Sequence, residues 1–141
     1  MKKFLIDTDI CIFRIRGCDR LESKFDDLDE TNAFISEITI AELRFGAERG
    51  NLKVEQHRLI DLMCEQFTEL PITHAIRLFA SEKARLWNTG TKIDDFDLLI
   101  GATAVHHGLV LVTNNTKHFE RMQSLQLENW ILNSEEDEEQ R

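Results

Sequence analysis

The sequence predicts an α/β fold built on a mostly parallel sheet of four to five strands. Three observations carry that reading. Short, wholly apolar runs at 4–6, 33–35 and 109–112 alternate with longer stretches whose apolar residues recur at helical spacing, as in strand–helix–strand units. The turns that follow those runs lead into helices, where a parallel sheet places its connections. Those helix entries also carry acids or amides: Asp7, Glu42, Asp97 and the pair Asn114-Asn115.

The elements follow in order. Phe4-Leu5-Ile6 reads as a short buried strand, followed by Asp7-Thr8-Asp9 and an apolar stretch from Ile10 to Phe13. Residues 19–28 are charged and amphipathic, a helix by pattern. A second strand spans 32–35, and Ser36 and Thr39 are N-cap candidates for a helix through Leu43 and Ala47 that Gly50 ends. Residues 54–67 place Leu59, Ile60, Leu62, Met63 and Phe67 on one helical face. A third strand lies within 67–72, and the sole proline, Pro71, marks it as an edge or a strand end. Residues 74–87 are helical, 88–91 form a loop, and 95–107 form a helix that is apolar almost all round and therefore buried. A fourth strand covers 109–112, and Trp130-Ile131-Leu132 is a possible fifth.

The 141 residues suit one domain, assigned to 1–133, with an acidic tail at 134–141 expected to be disordered. The net charge is −9, from 17 basic and 26 acidic residues. Five acids and one arginine in the tail supply −4 of it, leaving an acidic body. Such a body excludes a general nucleic-acid binder, which needs lysine and arginine against phosphate. It leaves room for an enzyme that reaches phosphodiesters through bound metal. No apolar run approaches the roughly 20 residues of a membrane helix, and Asp7 interrupts any signal-like segment. Cys11, Cys18 and Cys64 are odd in number without C-x-x-C spacing, which fits reduced thiols in a cytoplasm.

At the C-terminal ends of strands in an open α/β sheet, the following helices converge on one crevice. Carboxylates gathered there repel one another unless a hard cation sits between them, so Asp7, Glu42 and Asp97 are a candidate magnesium or manganese site. Each acid also has a purely structural reading. Thr39-x-x-Glu42 matches a capping box, Asp94-x-x-Asp97 a cap followed by a dipole-stabilising acid, and Asn114-Asn115 a turn. Leu5 to Asp9 further matches the apolar strand and Asp-x-Asp opening of haloacid-dehalogenase-type phosphatases. Cys11 stands where that motif wants Thr or Val, and the acidic pair Asp94-Asp95 follows a polar loop instead of a strand. His106-His107 before Gly108 fit a helix C-terminus better than a metal pair.

Four blocks then occur in order: Leu5-Ile6-Asp7-Thr8-Asp9-Ile10, Thr39-Ile40-Ala41-Glu42-Leu43-x-x-Gly46, Asp97-Leu98-Leu99-Ile100-Gly101-Ala102, and Leu111-Val112-Thr113-Asn114-Asn115-Thr116-x-x-Phe119. Together they resemble the PIN-domain ribonucleases, and within them the VapC toxins of bacterial toxin–antitoxin pairs. Leu127-Glu128-Asn129-Trp130 resembles the VapC ending. The resemblance implies a PIN-like three-layer sandwich and metal-dependent hydrolysis of RNA, with transfer RNA the first substrate to test. By it, Asp7, Glu42 and Asp97 bind Mg²⁺ or Mn²⁺, Asn115 takes the fourth position, and Thr113 and Asn114 support it. Asp9 departs from the asparagine usual in these toxins, which leaves the number of metal ions open. The resemblance also implies a homodimer and a VapB-like antitoxin that blocks the acids with a cation such as arginine. The dimer surface is expected near Ile10, Ile12, Phe13 and Phe45, and RNA contacts among Arg14, Arg16, Arg44, Lys92 and Lys117. A non-catalytic PIN-like binding module is the competing class; intact acids argue against it.

Overall fold

Phe4–Ile6 (β1), Ala33–Ser36 (β2), Thr68–Leu70 (β3), Val110–Val112 (β4) and Gln126–Glu128 (β5) form one sheet in the order β3-β2-β1-β4-β5. Every neighbouring pair is parallel, with Leu5 opposite both Phe34 and Leu111, and Leu111 opposite Leu127. The structure is a computed structural model, and it describes residues 1–131. The expected acidic tail at 134–141 lies outside the described residues.

The helices are Thr8–Ile15 (α1), Asp19–Asp26 (α2), Glu37–Arg49 (α3), Lys53–Gln66 (α4), Ile76–Asn88 (α5), Asp95–His107 (α6) and the single turn Thr116–Phe119 (α7). Alternate strand residues face opposite sides. Ile6 packs with Ile10, Leu21, Phe25, Leu43 and Ile60 under α1–α4, whereas Leu5 packs with Leu86, Leu98, Ile100 and Phe119 under α5–α7. Two apolar clusters, one on each face, make the three layers. Helix α6 is buried through Leu98, Ile100, Gly101, Ala102, Thr103 and Ala104, as its all-round apolar sequence requires. It ends at Gly108, whose φ of 67° lets it cap the carbonyls of Ala104 and Val105.

Four sequence expectations need correction. The apolar stretch at 10–13 is helix α1, begun by Asp7, whose carboxylate accepts the Thr8 N–H. Glu42 does not open α3; Ser36 caps that helix by accepting from Ile38 N, and Glu42 lies in its second turn. The Thr39–Glu42 capping box therefore does not form. The fifth strand lies at 126–128, and Trp130 and Ile131 are not strand, Leu132 lying outside the described residues: Trp130 is taken by the core, edge-on to Phe4 and Phe25, and the Asn129 side chain bends the chain by accepting from Ile131 N. Finally, Ile10 is fully buried, so it cannot serve a partner surface, and Ile12 and Phe13 are half-buried against the same core.

β3 is one of the two edge strands, with Thr68 and Glu69 exposed and Pro71 directly after it. Among the described residues no helix is long and apolar enough to cross a membrane.

Candidate active site

The strand order reverses at β1, which has β2 on one side and β4 on the other. That is the place where the loops after parallel strands separate and leave a crevice. Asp7 sits at its floor. The carboxyl is 4% exposed, accepts Thr8 N–H on Oδ1 at 2.8 Å, and accepts the Thr113 hydroxyl on Oδ2 at 2.8 Å. Thr113 follows β4 directly and is itself fully buried. Its Oγ1 also accepts Asn115 N–H at 3.0 Å and lies 3.4 Å from Asp9 Oδ2.

Asp9 is fixed on the same loops by Ile10 N–H at 2.7 Å and Asn114 N–H at 3.0 Å. Glu42 reaches the crevice from α3 and accepts the Thr8 hydroxyl at 2.8 Å, which in turn lies 3.0 Å from the buried Thr39 hydroxyl. Asp97 comes from the first turn of α6, where Asp94, not Asp97, is the cap, accepting Phe96 N–H. Asp97 Oδ2 is 3.2 Å from His118 Nε2 on α7, an ion pair whenever the imidazole is protonated. The contact is outside hydrogen-bond geometry, and His118 Nε2 is buried with no hydrogen-bond partner among the described residues.

The electrostatics follow from this crowding. Burial, then the charge of Asp9, push the Asp7 carboxyl up to about 7, against hydrogen bonds from Thr113 and Thr8 and with a further push from Asp97. Burial raises Asp9, with the Asn114 and Ile10 amides opposing it. Burial raises Glu42, with Thr8 opposing and the charges of Asp97 and Asp94 adding to it. Burial raises Asp97 too; His118 pulls the other way while Asp94 and Asp9 add to the rise. All four carboxyls thus resist ionisation, chiefly because they are withdrawn from water, with neighbouring carboxylates adding to the rise at Asp7, Glu42 and Asp97.

Among the described residues no three acidic, histidine or cysteine side chains yet converge on one point at ligand distance. The chemistry of the set nonetheless suits a hard divalent ion: its anionic donors are all carboxylate oxygens, as magnesium and manganese prefer. Asn115 contributes here through its backbone, donating to Thr113 Oγ1 and starting α7. His106 and His107 stand at the far end of α6, exposed, with ring centroids 4.9 Å apart and His74 stacked at 5.9 Å from His106; they have no part in the crevice. Sequence reading missed Thr8 and His118. Thr8 could have been found as the hydroxyl between two acids. His118 lies in a one-turn helix too short for any periodic signal.

Of the basic residues named for RNA contact, Arg14 is structural. It bonds Gln66 at 2.7 Å, pairs with Glu22, and lies 4.0 Å over the Phe25 ring. Arg44 is held by His57 and Asp61. Arg16, Lys92 and Lys117 are exposed.

Two recesses flank the acids. One, of about 370 Å³, runs between α1, α3 and α4; Ile12, Ile15, Leu43, Gly46, Ala47 and Leu52 line it, and Glu42 stands at its end. The other, of about 300 Å³, lies between the end of α5 and the start of α6, lined by Trp87, Lys92, Ile93, Asp94 and Asp95 among others.

A parallel α/β sheet of this order with an acid cluster at its switch point is the architecture of a PIN domain. The PIN domain profile matches residues 4–125, and the chain belongs to that family. Within it the similarity is to VapC proteins. The tRNA(fMet)-specific endonuclease VapC of Shigella flexneri is 32% identical over 131 residues, covering 92% of this chain and 99% of that protein. Ribonuclease VapC2 of Haemophilus influenzae is 34% identical over 134 residues, covering 93% and 100%. Among solved structures, the DNA-bound VapBC of Salmonella typhimurium aligns with a TM-score of 0.87 at 32% identity, covering 93% of this chain and all of that one. VapBC2 of Rickettsia felis, bound to a promoter DNA fragment, aligns at 0.85 with 28% identity, covering 91% and 98%. Family membership replaces the Asp-x-Asp phosphatase reading.

Proposed function

We propose that this protein is a divalent-metal-dependent endoribonuclease, the toxin of a toxin–antitoxin pair, and that Asp7, Glu42 and Asp97 hold its metal. The single observation that carries the assignment of the site is that Asp7, Glu42 and Asp97, from the β1–α1 junction, α3 and α6, face one crevice at the switch point of the sheet, with Asp9 beside them and Thr8 and Thr113 linking them. Purely structural caps would be spread over separate helix ends and would gain by ionising. The ribonuclease activity and its RNA substrate rest on similarity to relatives named as ribonucleases and as tRNA(fMet)-specific endonucleases, so a transfer RNA is the first substrate to test.

A bound Mg²⁺ or Mn²⁺ would supply Lewis acidity, making water a better nucleophile at neutral pH and offsetting charge on the phosphate in the transition state. The residues do the rest. Asp7 is locked in one rotamer by Thr8 N–H and Thr113 Oγ1, and Thr8 aims Glu42 by its hydroxyl. Asp9 is tied to the Asn114 amide, a neighbour that sets the charge density around Asp7. His118, with Nε2 3.2 Å from Asp97 Oδ2, fixes the side of the crevice that α7 forms and limits where the Asp97 carboxylate can turn. Asn115 starts the turn that presents His118, accepting its N–H at 3.2 Å.

The antitoxin reading rests on the VapBC complexes among the similar structures. We place its apolar segment in the groove between α1, α3 and α4, with a cationic side chain reaching past Glu42 into the acids. Phe45, 63% exposed on α3, remains the one large apolar residue of the expected dimer surface free to meet a second copy. Metal-dependent cleavage of transfer RNA by the purified protein, abolished by chelation and restored by Mg²⁺ or Mn²⁺, tests the assignment. Cleavage indifferent to chelation would refute the metal role.

A further inference from the structure

Trp87 is 65% exposed, although its neighbour Leu86 is buried and the other tryptophan, Trp130, is 7% exposed. An indole left in water on a helix end is not there for the core. It stands at the mouth of the 300 Å³ recess, whose floor is apolar, made by Leu86, Ile93 and Leu98. The Lys92 ammonium lies 5.4 Å from the indole centroid, and Lys83 bridges α5 to α6 through Asp95 at 2.9 Å. The recess thus sets two ammonium groups and the two carboxylates of Asp94 and Asp95 around an exposed aromatic face.

The recess is also preformed. Gly90, at φ 72°, turns the chain so that its N–H bonds the Trp87 carbonyl at 3.1 Å, and Thr91 N–H bonds Leu86 at 3.0 Å. Arg121 then clamps the Lys92 carbonyl at 2.9 Å. The recess adjoins the acids through α6 itself: Asp94 and Asp95 line it, and Asp97 begins the crevice within the same helical turn.

We propose that this recess is a nucleobase subsite, in which Trp87 stacks on an unpaired purine of the RNA while Lys92 and Lys83 face the adjoining phosphate. The inference rests on RNA being the substrate. Stacking on an exposed aromatic beside a cation recognises single-stranded nucleic acid, because a base must leave its helix to present a free face. A purine offers the larger face, and its amino group meets the carboxylates of Asp94 and Asp95, which can only accept.

The probe is a short oligoadenylate, with oligouridylate and duplex RNA as comparisons, bound by full-length protein under chelation so that no cleavage occurs. Oligoadenylate quenches the exposed indole and binds more tightly than either comparison. Trp87→Ala weakens that binding by roughly 5- to 150-fold, the range for loss of one stacked base. Trp87→Phe retains most of it. Lys92→Ala lowers the salt dependence by about one ion. Folding is controlled by melting temperature, which an exposed side chain leaves unchanged. Equal binding by Trp87→Ala and wild type, or equal binding of duplex RNA, overturns the proposal. So does a change of oligomeric state or antitoxin binding in Trp87→Ala, which would make the patch a protein contact. If wild type cleaves RNA and Trp87→Ala does so with unchanged KM, the subsite alone fails. If wild type neither binds nor cleaves RNA, the ribonuclease reading fails first.

Discussion

The two recesses beside the acids differ in every respect that decides what they can hold. The groove between α1, α3 and α4 is walled by Ile12, Ile15, Leu43 and Leu52 and floored by Gly46 and Ala47. Its walls are mostly apolar, with Arg16, Asn51 and Gln56 also in its lining, and a Cβ added at Gly46 would meet nothing within 4 Å, so α3 leaves room for another chain to come close. The recess between α5 and α6 is smaller and pairs an exposed indole with two ammonium groups. One surface rewards burial of hydrocarbon and the other rewards stacking beside a cation. Each has carboxylates in its lining, Glu42 in one and Asp94 and Asp95 in the other, and the charge of Asp94 reaches both Glu42 and Asp97. A partner in the first can therefore silence the acids without occupying the place where a substrate base sits.

The largest effect comes from removing an acid of the crevice that lies between the recesses. Asp97→Asn eliminates metal-dependent cleavage, a loss beyond the roughly hundredfold typical of residues one shell further out. The metal-free protein keeps or gains melting temperature, because unit charges ~4 Å apart at an effective dielectric near 20 repel by about 4 kcal/mol before screening. Parallel assays of RNA cleavage and of thermal unfolding check both halves. Retained metal-dependent cleavage would refute the catalytic assignment.

Next is a dissociation between the recesses. Gly46→Leu fills the apolar groove and weakens antitoxin binding by roughly thirtyfold, the loss of one hot spot, while cleavage of RNA by the free toxin is unchanged. Gly46→Ala alone raises stability by about 0.5–1 kcal/mol through helix propensity. Titration of labelled antitoxin against each variant, beside a cleavage assay, reads the difference. A Gly46→Leu protein that binds antitoxin normally would move the partner elsewhere.

A smaller effect is in pH. The Asp7 carboxyl, raised from 3.8 to about 7, favours the folded state when protonated. That contribution is complete below the unfolded value near 3.8 and is lost as pH rises through about 7. Asp7→Asn, which cannot ionise, should gain on metal-free wild type as pH rises, by roughly 5 °C between pH 5 and 8. Melting curves under chelation at both values measure it, and a constant difference would show that Asp7 is ordinary.

The smallest concerns Asp9→Asn. Its carbonyl can still accept one of the two amides, from Ile10 or Asn114, so folding and cleavage survive. Removing its charge lowers the Asp7 carboxyl toward the usual carboxylate range, and the acid limb of the cleavage–pH profile shifts to lower pH. An inactive Asp9→Asn would make Asp9 a primary ligand.

Much of this was legible in the chain. β1 and α6 were bounded from sequence alone because one is a clean apolar run and the other is closed by Asp94 and Gly108. Asp7 and Asp97 were legible because one stands just beyond a run that reads as a buried strand and the other at the head of the most apolar helix, whereas Glu42, in the second turn of α3, was legible only through the Thr39–Gly46 block. What was not legible is tertiary. β5 is a three-residue strand in which Leu127 alone is apolar, whereas the more hydrophobic Trp130 segment was claimed by the core. Thr39-x-x-Glu42 reads as a cap locally, and only the Thr8 hydroxyl arriving from another element gives Glu42 its role. His118 acquires meaning solely from its 3.2 Å approach to Asp97, 21 residues earlier by number but adjacent in space.

The bond between Asp7 and Thr113 joins residues 106 apart in the chain. β1 is made first and cannot finish its sheet until β4 emerges beside it, since parallel neighbours wait for their crossovers. During translation, then, the acids stay unassembled until the chain has run the 106 residues from Asp7 to Thr113, a span in which the catalyst does not exist. An RNA-cutting toxin so built is harmless to the message and machinery that are making it, and its antitoxin needs to be at hand only when the last strands leave the exit tunnel.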